Sequence, residues 1–101
     1  MDHPLPLEID VSDDGTRTLL KVVGELDVAT APVLGDACRR AGSPLALDLS
    51  GVTFVDGTGI GSLADLAAAH PEMVLVALSP MVERLIDLGG LADRFVVADP
   101  G

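Results

Sequence analysis

The sequence has no tryptophan and no tyrosine, and only two phenylalanines among 101 residues. Base stacking on single-stranded nucleic acid therefore has almost nothing to work with. Basic residues are scarce as well: six Lys and Arg stand against sixteen Asp and Glu, a formal net charge of -10. Such a field repels phosphate backbones and anionic lipid surfaces and attracts basic protein surfaces. A protein partner is expected, and nucleic acid is not. The single cysteine, Cys38, excludes an internal disulfide. Nothing approaches the ~20 apolar residues of a membrane span, and Met1 to Pro6 holds no apolar run of the kind a signal peptide needs. Direct membrane insertion is not expected, and a cytoplasmic location is. The two histidines, His3 and His70, fall in the N-terminal tail and at a helix end, so no metal-ligand spacing arises and no cofactor is expected.

What the chain has is aliphatic bulk. It is 49% hydrophobic with a mean hydropathy of +0.48, enough to pack one core at this length. A single domain is expected over residues 1–101, with residues 1–6 as a flexible lead-in broken by Pro4 and Pro6.

The period of the apolar residues sets the element order. Leu7, Ile9 and Val11 alternate with Glu8 and Asp10, and Ser12-Asp13-Asp14-Gly15 supplies turn chemistry, so a first strand hairpins into a second over 16–24. Thr30 is placed to cap a helix with Pro32 in its first turn. Leu34, Ala37, Cys38 and Ala41 form that helix's buried face, which makes Cys38 a small core residue and not a nucleophile. Gly42-Ser43-Pro44 ends it.

Leu45, Leu47 and Leu49 then alternate as a half-buried strand, and Phe54 with Val55 carries the chain back toward the core. After Asp56-Gly57-Thr58-Gly59 the period changes. Ile60, Leu63, Ala64 and Ala67 fall on one helical face. The unbroken apolar run from Met73 to Leu78 fits a strand buried on both faces. Ser79 and Pro80 open a third helix, with Val82, Leu85 and Ile86 facing inward, and Gly89-Gly90 closes it. Phe95 to Ala98 makes a last short strand. The expected core includes Leu47, Leu49, Ile60, Leu63, Val74, Val76, Leu85 and Ile86.

Three stretches carry a family resemblance. Asp56-Gly57-Thr58-Gly59-Ile60-Gly61 resembles the Asp-Ser-Ser/Thr-Gly-Leu-Gly loop of the STAS family, the anti-sigma factor antagonists and their relatives. Gly24-Glu25-Leu26-Asp27 is similar to that family's Gly-Glu-Leu-Asp after the second strand, and Ser79 to Leu91 to its third-helix segment. The resemblance implies an α/β fold in the order β-β-α-β-α-β-α-β, a mixed sheet covered by helices. Family members commonly continue into a fourth helix, which is expected to be short or absent here. It further implies a regulatory binding module that docks on an anti-sigma factor or related kinase-type regulator, not an enzyme. The alternative is a STAS-like subunit of a larger lipid-transport or stress-signalling assembly.

The partner-binding residues implied are Asp27, Asp56, Gly57, Thr58, Gly59, Gly61 and Ser62. In switching members of the family, the serine directly after the motif aspartate is phosphorylated, and the added charge, roughly -1.5 to -2, releases the partner. This chain departs there: Gly57 has no hydroxyl. Thr58, one residue on, is a candidate phosphoacceptor, but a displaced hydroxyl is poorly placed for in-line transfer, and capping of the central helix is the preferred reading. Asp56 has a second reading as a loop-fixing acceptor, with Gly57 and Gly59 permitting the backbone angles. Asp27 and Asp56 lack the third group that acid-base or metal chemistry requires. Gly57-Thr58-Gly59-Ile60-Gly61 lacks the third glycine of a dinucleotide loop and any P-loop lysine, so nucleotide binding is rejected as the leading idea.

Overall fold

The computed structural model describes residues 6–42 and 45–98. His3, most of the lead-in and the Ser43-Pro44 part of the first helix stop therefore lie outside the described residues.

Two strands open the chain, β1 (Leu7–Asp13) and β2 (Thr18–Leu26). They pair antiparallel around a turn that Asp14 holds together. Its carboxylate accepts the Arg17 and Thr16 N–H groups at 2.9 Å each and the Thr16 hydroxyl at 2.8 Å. Those bonds, the one from Arg17 foremost, hold the Asp14 carboxyl down at about 2. The rest alternates: α1 (Ala31–Ala41), β3 (Leu45–Val55), α2 (Gly57–Ala69), β4 (Val74–Leu78), α3 (Pro80–Leu88), a 3₁₀ turn (Ala92–Arg94) and β5 (Val96–Val97). No helix follows β5 among the described residues.

The sheet order is β1-β2-β3-β4-β5, with β2 through β5 parallel. Parallel crossovers are right-handed in nearly all cases. Because the strands advance in sequence order, three crossovers of one hand put all three helices on one face, where α1 touches α2 and α2 touches α3. Leu20 and Val22 of β2, Leu47 and Leu49 of β3 and Leu75 of β4 point to that face and are fully buried against Leu34, Cys38, Leu63 and Val82. Each such aliphatic side chain contributes about 1.5–3 kcal/mol by leaving water.

No helix among the described residues covers the other face, which corrects the expectations for β4 and Phe54. β4 is not buried on both faces: Leu75 is fully buried, while Val74 and Val76, its neighbours in the run, are only half-buried. Leu85 is likewise half-buried at the margin of α3. Phe54 does not return to the core but stands 42% exposed. The cause is register. Against β2, β3 carries extra residues between Asp48 and Gly51 and between Val52 and Phe54, and each such bulge shifts which residues face the core. Val52 and Val55 therefore face the helices, and Phe54 pairs with exposed Glu25 on the bare side.

Candidate functional site

Parallel strands of an open α/β sheet deliver their loops to the carboxyl ends, where ligands and partners gather. The loops after β2 and β3 meet there. The Asp56 N–H donates to the Leu26 carbonyl at 3.4 Å, so the segment beginning at Asp27 lies against the segment beginning at Asp56.

Each aspartate fixes its own loop. The Asp27 carboxylate accepts the N–H groups of Ala29 at 2.9 Å and Thr30 at 3.1 Å. Thr30 stands at the cap position of α1 but makes no side-chain cap, contrary to expectation. Its hydroxyl is buried, donates to the Glu25 carbonyl at 2.8 Å and accepts the Asp27 N–H at 2.9 Å. Thr30 therefore ties the loop back onto β2 instead of capping the helix.

Asp56 is the N-cap of α2. Its carboxylate accepts the Gly59 N–H at 2.8 Å, a role expected of Thr58. Capping requires an extended residue outside the helix, and Asp56 has that backbone, with φ -108° and ψ -174°. Thr58 is already inside the first turn and exposed, and no described residue bonds to its hydroxyl. Ser62 turns its hydroxyl onto its own helix, donating to the carbonyls of Thr58 at 3.0 Å and Gly59 at 3.2 Å.

The three glycines differ. Neither Gly57 nor Gly59 has a positive φ, so backbone angle explains neither. Gly59 is required by contact: a Cβ there would strike the Leu26 carbonyl. At Gly57 and Gly61 a Cβ would meet nothing within 4 Å. The blank at Gly57 is open space, not a steric demand.

Charge and apolar surface combine at this end. Residues 24–31, 52–62 and 78–83 contain Glu25, Asp27, Asp56 and Glu83 but no Lys or Arg. Arg17, Arg39, Arg40 and Arg94 fall at the opposite end, before β2, in the last turn of α1 and before β5, while Lys21 and the exposed Arg84 stand midway along β2 and α3. Val28, beside Asp27, is 70% exposed. Met81 is also exposed, with its sulfur 3.3 Å from the Val55 N–H. Sequence reasoning missed Val28, Phe54 and Met81, though an apolar residue directly after the Asp27 turn was a readable signal. No group of three His, Cys, Asp or Glu suited to a metal occurs among the described residues. Burial pushes the Cys38 thiol up to about 11, in keeping with an inert core residue.

The model of the family described as "Mlab, STAS domain" matches residues 9–98. The anti-sigma-B factor antagonist of Listeria monocytogenes is 35% identical, with 86% of this chain and 84% of that protein covered. The antagonist of the same name from Bacillus subtilis is 29% identical, with 86% of each covered. Among solved structures, an anti-sigma factor antagonist from Mycobacterium paratuberculosis superposes with a TM-score of 0.77 at 29% identity, over 96% of this chain and 89% of that one. The unphosphorylated form of the antagonist SpoIIAA has the same fold, with a TM-score of 0.69 at 16% identity, over 91% and 89%. These relatives are regulators by name. No helix among the described residues is long and apolar enough to cross a membrane.

Proposed function

The chain belongs to the STAS domain family, and from that premise we propose that it acts as one partner-binding antagonist module that docks on a kinase-type anti-sigma factor without the phosphoserine switch. The observation that carries this reading is the site itself: Asp27 and Asp56 hold two adjoining loops in fixed shape, and the position that would release the partner is Gly57. Docking uses the surface formed by Asp27, Asp56 to Ser62 and the solvent side of α2. Its acidity selects a partner with a basic surface, which steers encounter more than it adds affinity. Val28 and Met81 supply apolar contact at the rim.

The chemistry is binding, not turnover. The two carboxylates are occupied in holding backbone N–H groups, and no third group completes an acid-base set. The open Gly57 position also favours a second reading. A module that cannot be released by phosphate suits a permanent subunit of a larger lipid-transport or stress-signalling assembly, held through the same loop.

The test is reconstitution with a purified kinase-type anti-sigma factor encoded in the same genome. Binding is expected with and without ATP, and charge reversal at Asp56 is expected to weaken it. Failure to bind any such factor, with stable capture into a multi-subunit complex instead, would favour the assembly reading. A phosphate added to Thr58 that dissociates the complex would overturn the constitutive one.

A further inference from the structure

We propose that the free edge of β1 is a second docking surface, which takes an extended segment of a partner protein with alternating basic and aliphatic side chains as an added antiparallel strand. This does not rest on the reading of the carboxyl-end loops.

The backbone comes first. β1 is an edge strand, with no described strand paired to its outer side. The Glu25 N–H donates to the Pro6 carbonyl at 2.7 Å. Because hydrogen-bonded and non-bonded pairs alternate along an antiparallel ladder, Glu8, Asp10 and Ser12 turn their N–H and C=O groups toward β2. Those of Leu7, Ile9 and Val11 point to the open edge. Such a row of unpaired groups is a template for one more strand.

The side chains then specify what that strand carries. Ile9 and Val11 sit on the helix side, where with Val33, Ala37 and Ala41 they line a groove of about 440 Å³ between β1 and α1, rimmed by Asp36 and Arg40. Val11 and Val33 are 58% and 51% exposed in it. On the bare face the edge shows Glu8 and Asp10, both exposed, with Lys21 of β2 standing opposite Asp10 and Val23 opposite Glu8, so Glu8 carries the less compensated charge. Residues opposite Ile9 and Val11 on an added strand enter the groove and are aliphatic. Residues opposite Glu8 and Asp10 lie on the bare face and are basic, since opposite charges across strands attract.

The same carboxylates argue against a second copy of this chain. A two-fold pairing centred on Ile9 sets Glu8 against Asp10 twice, and one centred on Asp10 sets that residue against itself. Lys21, opposite Asp10 on β2, offsets part of that charge but leaves Glu8 with no cation opposite it, and Arg40 on the helix side is already paired with Asp36 at 3.1 Å.

The test uses the full chain and a short fluorescent peptide of strictly alternating Lys and Val, with a peptide of the same composition in separate Lys and Val blocks as reference. Anisotropy is expected to show the alternating peptide binding about tenfold or more tighter, with amide exchange slowed at Ile9 and Val11. Asp10→Lys and Val11→Asp, both at exposed positions, are each expected to lower that affinity several-fold. Asp87→Lys, an equal charge change on the exposed side of α3, leaves it in place. Equal binding of the two peptides, equal loss in Asp10→Lys and Asp87→Lys, or no binding overturns the proposal. So does a dimer in sedimentation that Val11→Asp dissolves, because the edge would then be taken by a second copy.

Discussion

The carboxylate of Asp56 and the backbone N–H of Gly59 lie 2.8 Å apart, and that bond sets both the start of α2 and the shape of the loop before it. The motif aspartate is thus a structural cap. Its two properties, acceptor and charge, separate by substitution. Asp56→Ala is expected to cost about 1 kcal/mol of stability. Asp56→Asn keeps the acceptor and should cost much less, while still removing the charge that a basic partner meets. Urea denaturation of both, beside partner affinity, checks this: equal stability losses would show that the cap is not what holds the loop.

Gly57 and Gly59 are two residues apart and are expected to behave oppositely. Gly57→Ala meets nothing within 4 Å and reduces the freedom of the unfolded chain, so it is expected to be neutral or to stabilise by about 0.4–1 kcal/mol. Gly59→Ala drives a Cβ into the Leu26 carbonyl and the Val55 side chain. A backbone carbonyl cannot swing aside as a flexible side chain does, so a loss of about 1–3 kcal/mol is expected. Thermal melts of the pair decide it: Gly57→Ala at or above wild type, with Gly59→Ala below it, is the required outcome.

Much of this was legible beforehand because local chemistry decides it. Ser79 does cap α3, accepting the Val82 N–H at 3.3 Å, with Pro80 behind it. Gly90 supplies the left-handed residue after α3, at φ +66°. The misreadings share another origin. Phe54 and Val55 look equivalent in sequence, and only the bulges of β3 against β2 separate an exposed ring from a buried valine. Val74 and Val76 look like core because hydropathy does not reveal that all three crossovers cover the same face. Thr58 looks like the cap because Ser, Thr and Asp share that preference, and a two-residue shift in the helix start, from Thr58 to Asp56, reassigns it. Pairing register and crossover geometry are long-range properties, and a local pattern does not encode them.

Cys38 links burial to pH. Desolvation raises its thiol from an ordinary 9.0 to about 11, so above pH 9 the unfolded chain releases a proton that the folded chain retains. The native state then binds more protons, and stability falls as pH rises. This contribution is intact below about pH 9 and declines toward pH 11. Urea midpoints measured between pH 8 and 11 are expected to fall more steeply in the wild type than in Cys38→Ala, although that variant starts lower because it leaves a cavity. A thiol reagent should react with the native protein only at the rate of unfolding, and rapid labelling at neutral pH would contradict the burial.

The last prediction restores what Gly57 lacks. In the STAS family the switching hydroxyl follows the motif aspartate directly, and here that position is exposed, with ordinary backbone and open space where a side chain would stand. Gly57→Ser should therefore fold without strain and place a hydroxyl at the first position of α2. A phosphate there lies near the unpaired N–H groups of a helix N-terminus, which stabilise it locally, yet it stands next to Asp56 in the acidic surface proposed for docking, where it adds further negative charge. With a kinase-type anti-sigma factor and ATP, Gly57→Ser is expected to gain one phosphate by intact mass and to leave the complex. The wild type is expected to gain none and to stay bound. The exposed hydroxyl of Thr58, to which no described residue bonds, is the competing acceptor, so Thr58→Ala in the wild-type background completes the measurement. If the wild type is labelled and that substitution abolishes the label, the switch moved by one residue and was never lost; if neither protein is labelled but both bind, the loop serves as a docking shape alone.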